Sequence, residues 1–246
     1  MKNIKALSYN IHKGFNFRNK KFVLTKMREA IRSVDPDIIF LQEVIGDHIS
    51  GTHEIDDWKN TSQFEYLAHE LWSHYAYGKN AVYKEGHHGN AILSKFPIKL
   101  WENIDISTNP MEKRGALHTI IEIDNITIHA LCLHLNLLES GRRKQINQVC
   151  ERIENNIPKD QPIIIAGDFN DWNKKVSETF ETRLQIKEAY LDHHGEHAKT
   201  FPSYLPVLTL DRIYYRGIKL IDAIQLAGNP WKKLSDHIAL ISTFEI

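Results

Sequence analysis

The chain has 246 residues, 42% of them hydrophobic, and 31 lysines and arginines balance 31 acids at a pI near 7.3. That length supports a sizeable core and a single domain over residues 1–246, while a net charge of zero excludes a global basic field for gathering nucleic acid and leaves only a local basic rim open. Two cysteines exclude a disulfide scaffold, and both stand in apolar surroundings that read as core in a reducing compartment: Cys132 within 128–135, Cys150 on a helix face.

The N-terminus enters a strand at once through Ile4, Ala6 and Leu7, which closes on Ser8-Tyr9-Asn10. It has no export signal, and no run in the chain approaches a membrane span, so a cytoplasmic location is expected. Val23, Met27, Ala30 and Val34 follow helical spacing until Pro36, and Ile38-Ile39-Phe40 then forms a strand ending in Leu41-Gln42-Glu43. Residues 46–62, with Asp47, His48, Asp56 and Asp57, read as a long loop beside the mouth of a site.

Segments 75–83, 91–96, 100–106, 116–123 and 126–135 are short and β-rich, with a hairpin turn at Asp124-Asn125. Ile146, Val149, Cys150, Ile153 and Ile157 form a second helical stripe, Pro158 and Pro162 punctuate it, and Ile163-Ile164-Ile165 leads to Asp168. The repeated order of helix, strand and carboxylate suggests two similar halves sharing one edge. Segments 213–215, 218–226 and 238–244 close the chain as strands. Many strands with few helices predict an α+β, four-layer α/β/β/α sandwich, two mainly antiparallel sheets packed face to face with helices outside.

Acid, amide and imidazole groups recur where these strands meet loops, at Asn10, Glu43, His134, Asp168, Asn170, Asp211, Asp236 and His237. Carboxylates at strand ends are costly to bury unless paired or metal-bound, so their recurrence points to one polar site suited to hydrolytic phosphate chemistry. Glu43 is a hard oxygen donor for Mg²⁺, and Asn10 either orients it or joins it through the amide carbonyl. Asp211 and His237 make a unit in which the carboxylate fixes the imidazole tautomer. Asn170 stands two residues beyond Asp168, on the same face if the backbone stays extended, where its amide reaches a nonbridging oxygen. Asn90 and Arg114 are candidate substrate contacts, and His12 with Lys13 a candidate rim. Arg142-Arg143-Lys144 read as a solvated helix start, Asp171 and Trp172 as rim, and His87-His88 and 193–197 as exposed loop histidines without a complete zinc set.

Tyr9-Asn10, Gln42-Glu43, Gly89-Asn90-Ala91-Ile92-Leu93-Ser94, His134-Leu135, Gly167-Asp168-Phe169-Asn170, Leu210-Asp211-Arg212-Ile213 and Ser235-Asp236-His237, in that order, resemble the endonuclease/exonuclease/phosphatase (DNase I-like) superfamily along essentially the whole chain. The resemblance implies the same sandwich, Mg²⁺ with Mn²⁺ as a substitute, Asp168 as the acid that orients or deprotonates water, and Asp236 as a second metal-associated carboxylate. It leaves open whether His237 is a base or a phosphate stabiliser. His134 matches the deoxyribonuclease, sphingomyelinase and phosphatase branches, whereas abasic-site endonucleases place a tyrosine there. The expected activity is therefore Mg²⁺-dependent phosphoester hydrolysis by a monomer, on a small molecule or lipid headgroup, with a nuclease as the alternative. A binding module on a retired catalytic fold would show a damaged position, yet all eight residues are present.

Overall fold

The computed structural model describes residues 2–48, 62–83 and 86–246. Among them, one sheet is built from β1 (Asn3–Asn10), β2 (Ile38–His48), β3 (His74–Tyr83), β4 (Gly86–Ser94), β11 (Lys219–Gln225) and β12 (Leu240–Glu245), in the order β11-β12-β1-β2-β4-β3. The other contains β5 (Ile98–Asp105), β6 (Gly115–Ile123), β7 (Ile126–His134), β8 (Ile163–Asp168), β9 (Lys187–Glu188) and β10 (Asp211–Arg216), in the order β5-β6-β7-β8-β10-β9. At the centre of each sheet lies a parallel pair, β1 with β2 and β7 with β8; the other pairings are antiparallel. Parallel neighbours require a crossover, supplied by α1 (Leu24–Val34) and α3 (Glu139–Asn156), so the two halves suggested by the sequence are two copies of one topology.

Strand alternation explains the layers. Ile4, Ala6, Ile38, Phe40 and Ile92 of one sheet meet Leu117, Ile121, Ala130, Cys132, Ile164 and Ile213 of the other in a buried inter-sheet core. The opposite faces carry Leu7, Ile39 and Leu93 under α1 and α2 (Gln63–Ala68), and Leu131, Leu133 and Ile165 under α3 and α4 (Lys175–Leu184). The sandwich is the predicted one. Helices α2, α4 and α5 (Ala189–His194) were not legible in the sequence, and three readings need correction. β2 runs on to His48, so residues 46–48 are strand, and Ser62 caps α2; residues 49–61 of that expected loop, with Asp56, Asp57 and Trp58, lie outside the described residues. β4 begins at Gly86, which places His87 and His88 in a strand with His87 buried. His193 and His194 close α5, and His197 is buried against Glu188 at 3.0 Å, because the Glu188 carboxylate caps α5 through the Tyr190 and Leu191 amides and also meets this imidazole.

On the helix-covered face of the second sheet, His118 Nε2 meets His129 Nδ1 at 2.9 Å and His129 Nε2 meets Gln161 Oε1 at 2.6 Å. Burial, reinforced by His129 and Arg152, pulls His118 down to about 4. The folded state thus prefers neutral His118, and this contribution to stability is complete above the ordinary histidine value of about 6.5 and is lost as pH falls toward 4. Urea midpoints for the wild type and His118→Gln should converge as pH is lowered from 7.5 to 5. An unchanged difference across that window would contradict this assignment.

Candidate active site

The two parallel pairs bring their carboxyl ends to one edge of the sandwich. Asn10 stands level with Gln42, His134 with Asp168, and Asp168 with the first residue of β10, Asp211. Gly167 permits this register: its φ is +151°, and a Cβ there would lie 1.9 Å from the Leu133 carbonyl oxygen. Ser235 Oγ donates to the Asn10 carbonyl at 2.7 Å and accepts the His237 amide at 3.2 Å, which binds the start of the last strand to β1.

Asn10 is a bridge. Its Oδ1 accepts the His12 amide at 3.0 Å, turning Nδ2 toward Asp168 Oδ2 at 3.1 Å and Glu43 Oε1 at 3.4 Å. This geometry fits the orienting role read from the sequence, and the second lone pair of Oδ1 leaves the coordinating role open. Glu43 sits at a bulge where β2 gains one residue on β4, between Leu41 opposite Ala91 and Val44 opposite Gly89, and its φ is +56°. A non-glycine residue in this region costs roughly 1–3 kcal/mol, and bulges serve to re-aim a side chain. Glu43 and Asp236 both face the His12 ring. His12 Nδ1 lies 3.3 Å from Asp236 Oδ1 and 4.0 Å from Glu43 Oε2.

Asp168 is the buried centre. Its Oδ2 faces Asn10 Nδ2, His134 Nε2 at 3.5 Å and His237 Nε2 at 3.7 Å, and its Oδ1 accepts the Asn170 amide at 3.0 Å. Burial raises the Asp168 carboxyl above the ordinary range, against the lowering pull of His237. His237 Nδ1 meets Asp211 Oδ2 at 2.8 Å. Burial pulls this imidazole down, but the carboxylates of Asp211 and Asp168 outweigh it and hold it at about 10, an imidazolium at neutral pH. His134 is the opposite case: burial and then Arg114 push it well below the usual value, so it is neutral. His88 is pushed down to about 4 by burial and Lys13, with Glu43 and Arg114 also acting on it, which puts it beside the site.

Other candidates have more structural work than the sequence suggested. Asn90 donates its amide to the carbonyls of Gly115 at 3.0 Å and Cys132 at 3.2 Å, joining the two sheets and leaving its own carbonyl oxygen for other contacts. Asn170 lies past the end of β8 with φ +50°, so the extended backbone assumed for it does not hold; one amide hydrogen goes to the Leu135 carbonyl at 2.9 Å. Arg114 pairs with Glu112 at 2.9 Å at the wall near His134. Asp171 is no rim residue: it is buried, pairs with buried Arg212 at 2.9 Å and accepts the Val176 amide at the start of α4. Arg142 is likewise buried, not solvated, donating to the Asn136 and Leu137 carbonyls with Trp172 over its guanidinium. Thr200, unremarked in the sequence, accepts the Asp211 amide at 3.1 Å.

The sequence matches the Endonuclease/Exonuclease/phosphatase family over residues 7–237, a span that holds every residue of this site. The chain belongs to that family. A relative from Escherichia coli (strain K12), described as the uncharacterized protein YbhP, is 42% identical over 238 residues, covering 96% of this chain and 94% of its own. The endonuclease/exonuclease/phosphatase protein of Bacteroides vulgatus aligns over 100% of both chains with a TM-score of 0.79 at 17% identity. TDP2 from D. rerio, in complex with single strand DNA product, aligns over 100% of both chains with a TM-score of 0.77 at 17% identity. At those identities the likeness is one of fold. Family membership places the chain among hydrolases of phosphoester bonds, a group that generally uses divalent metal ions.

The donor set suits such an ion. Glu43 and Asp236 present partly exposed carboxylate oxygens on either side of the His12 ring nitrogen, a position that attracts positive charge, and both are hard oxygen donors. Asp211 Oδ1 is buried without a hydrogen-bond partner. Ligand atoms of Asp168, Asp211 and His237 also lie within 4.8 Å of one another. In that group His237 Nδ1 is already engaged by Asp211, whereas the Glu43 and Asp236 carboxylates are partly exposed.

Proposed function

We propose that the protein is a Mg²⁺-dependent phosphodiesterase that hydrolyses small-molecule or lipid-headgroup phosphoesters by direct attack of water. The observation that carries this reading is Asp168, a buried carboxylate of raised proton affinity whose Oδ2 is ringed by Asn10, His134 and His237. Glu43 and Asp236 would hold the ion, which when bound neutralises phosphate charge and eases departure of the alkoxide. Asp168 Oδ2 orients the water and receives its proton, a role suited to an acid with elevated affinity. His237, held charged by Asp211, faces a nonbridging oxygen as charge builds in the transition state. Neutral His134 and the remaining amide hydrogen of Asn170 donate to the same phosphate.

Each of these groups addresses a phosphate and none reads a base, which supports a small or lipid substrate over abasic-site DNA. A polynucleotide substrate is a second reading, favoured by the cations on the loops around this edge. Rates on a lipid phosphodiester, an inositol phosphate, plain duplex DNA and an abasic duplex, at matched Mg²⁺, two salt concentrations and with chelator, separate the two. The small substrates should lead. Strong abasic incision with a steep salt slope would reverse the ranking, and full turnover in excess chelator would refute the metal requirement.

A further inference from the structure

The loops leaving the catalytic edge carry an exposed apolar rim. Met111 is 96% exposed and lies in the connection from β5 to β6; Leu137 and Leu138, the latter 70% exposed, directly follow β7; Trp172 follows β8; Tyr204 and Leu205 precede β10. Single exposed apolar side chains are ordinary, but several gathered around one polar site mark a contact surface. The Leu137 amide donates to Glu112 Oε1 at 3.4 Å, and Arg142 touches both the Leu137 carbonyl and the Trp172 ring, so Met111, Leu137, Leu138 and Trp172 form one flank. The other flank is fixed beside the site by the Ser203 amide, which donates to the Asp236 carbonyl at 2.7 Å, and Tyr204 there lies near the Phe17 ring.

Charge is gathered on the same edge. The described connections 11–23, 106–114, 135–138, 169–174, 198–210 and 226–239 contain ten lysines and arginines and three acids. All three acids are engaged: Glu112 with Arg114, Asp171 with buried Arg212, and Asp236 with His12. Within a chain of zero net charge, these described connections are therefore net cationic. Most of the rim is aliphatic. Leucine and methionine offer no stacking platform for bases, whereas aliphatic side chains with one tryptophan, one tyrosine and flanking lysines are the composition of an interfacial lipid contact.

We propose that the catalytic edge docks on an anionic lipid bilayer, with Leu137, Leu138 and Leu205 entering the interface and the surrounding lysines and arginines meeting the headgroups. The contact proposed is peripheral, made by loop side chains; no helix among the described residues is long and apolar enough to cross a membrane. The inference deepens the proposed function and rests on it for chemistry: Leu137 is three residues beyond His134, so seating the rim brings His134 and Asp168 to the level of headgroup phosphates.

The test is co-sedimentation of the full chain with vesicles of phosphatidylcholine, alone or with phosphatidylglycerol, alongside turnover of a soluble aryl phosphodiester. Binding should require the anionic lipid and weaken with salt. Leu138→Glu and Leu205→Glu should each weaken it by about tenfold or more, and Lys20→Gln or Lys21→Gln by about fivefold, while turnover of the soluble substrate stays unchanged. Failure to bind anionic vesicles, or binding that both glutamate variants leave intact, would overturn the proposal. So would a single-stranded oligonucleotide or a second copy of the chain, seen by sedimentation velocity, bound to the rim and released by the same variants. Vesicle binding without turnover of any phosphoester would refute the proposed function and leave the docking surface standing; turnover without vesicle binding would do the reverse.

Discussion

His237→Ala and Asp168→Ala are each expected to slow the chemical step by at least ~100-fold, the low end for a positioned proton acceptor or a charge placed against a developing oxyanion. The two residues face each other across 3.7 Å, and each shifts the proton affinity of the other, alongside burial and, for His237, Asp211. On the proposed mechanism, removing His237 strips the transition state of its fixed positive charge, and it leaves Asp211 buried without its imidazole partner. Removing Asp168, on the same mechanism, takes away the acceptor for the water proton, and it leaves Asn10 Nδ2 with Glu43 alone. Asp211→Asn should cost less than either if the task of Asp211 is orientation, because the imidazole keeps a hydrogen-bond acceptor and Asp168 still favours its protonated form. Single-turnover rates on a soluble aryl phosphodiester test this order, with circular dichroism and thermal melts to show that each variant is folded. His237→Gln provides a variant that keeps a polar side chain in the buried slot. Wild-type turnover in folded His237→Ala protein would mean that the site lies elsewhere.

How much of this site was legible follows from what strands and loops each record in sequence. Strand-end motifs are readable because an apolar run followed by Asn10, Glu43 or Asp168 is a local pattern, and two parallel pairs with helical crossovers bring those ends together. Backbone departures are not local patterns of that kind. Nothing in Leu41-Gln42-Glu43 announces the bulge that gives Glu43 its positive φ, and Asn170 looks extended until its φ of +50° is seen. Long-range partners are hidden for the same reason: Asp171 finds Arg212 forty-one positions away, so an acid beside a tryptophan reads as surface although it anchors the loop behind Asp168. Arg142 was read with its exposed neighbours Arg143 and Lys144, but its place on α3 turns it inward beneath Trp172. His88 stays hidden because Gly-rich polar residues suggest a loop where β4 continues.

Glu43→Gln should abolish activity at ordinary Mg²⁺ and restore part of it only when Mg²⁺ is raised by at least about tenfold, since altered metal shells commonly lose 10–100-fold in affinity. The amide has the shape of the carboxylate and still offers Oε1 to the Asn10 amide, so the bulge and the hydrogen bond both persist. What disappears is one negative charge. Beside Asp236, that charge helps offset the dehydration Mg²⁺ resists, and the neutral amide leaves one carboxylate of the pair to do it. Two measurements keep binding apart from turnover: calorimetric titration with Mg²⁺, and the upward shift of the melting midpoint that any ligand of the native state produces, which grows with the logarithm of its affinity. Both should weaken in Glu43→Gln while its melting midpoint without metal matches or exceeds that of the wild type, because removing one of two converging carboxylates relieves repulsion when no cation is present. Equal Mg²⁺ affinity in the two proteins would assign the ion to other oxygens of this edge, with Asp211 Oδ1, buried and without a hydrogen-bond partner, as the next candidate.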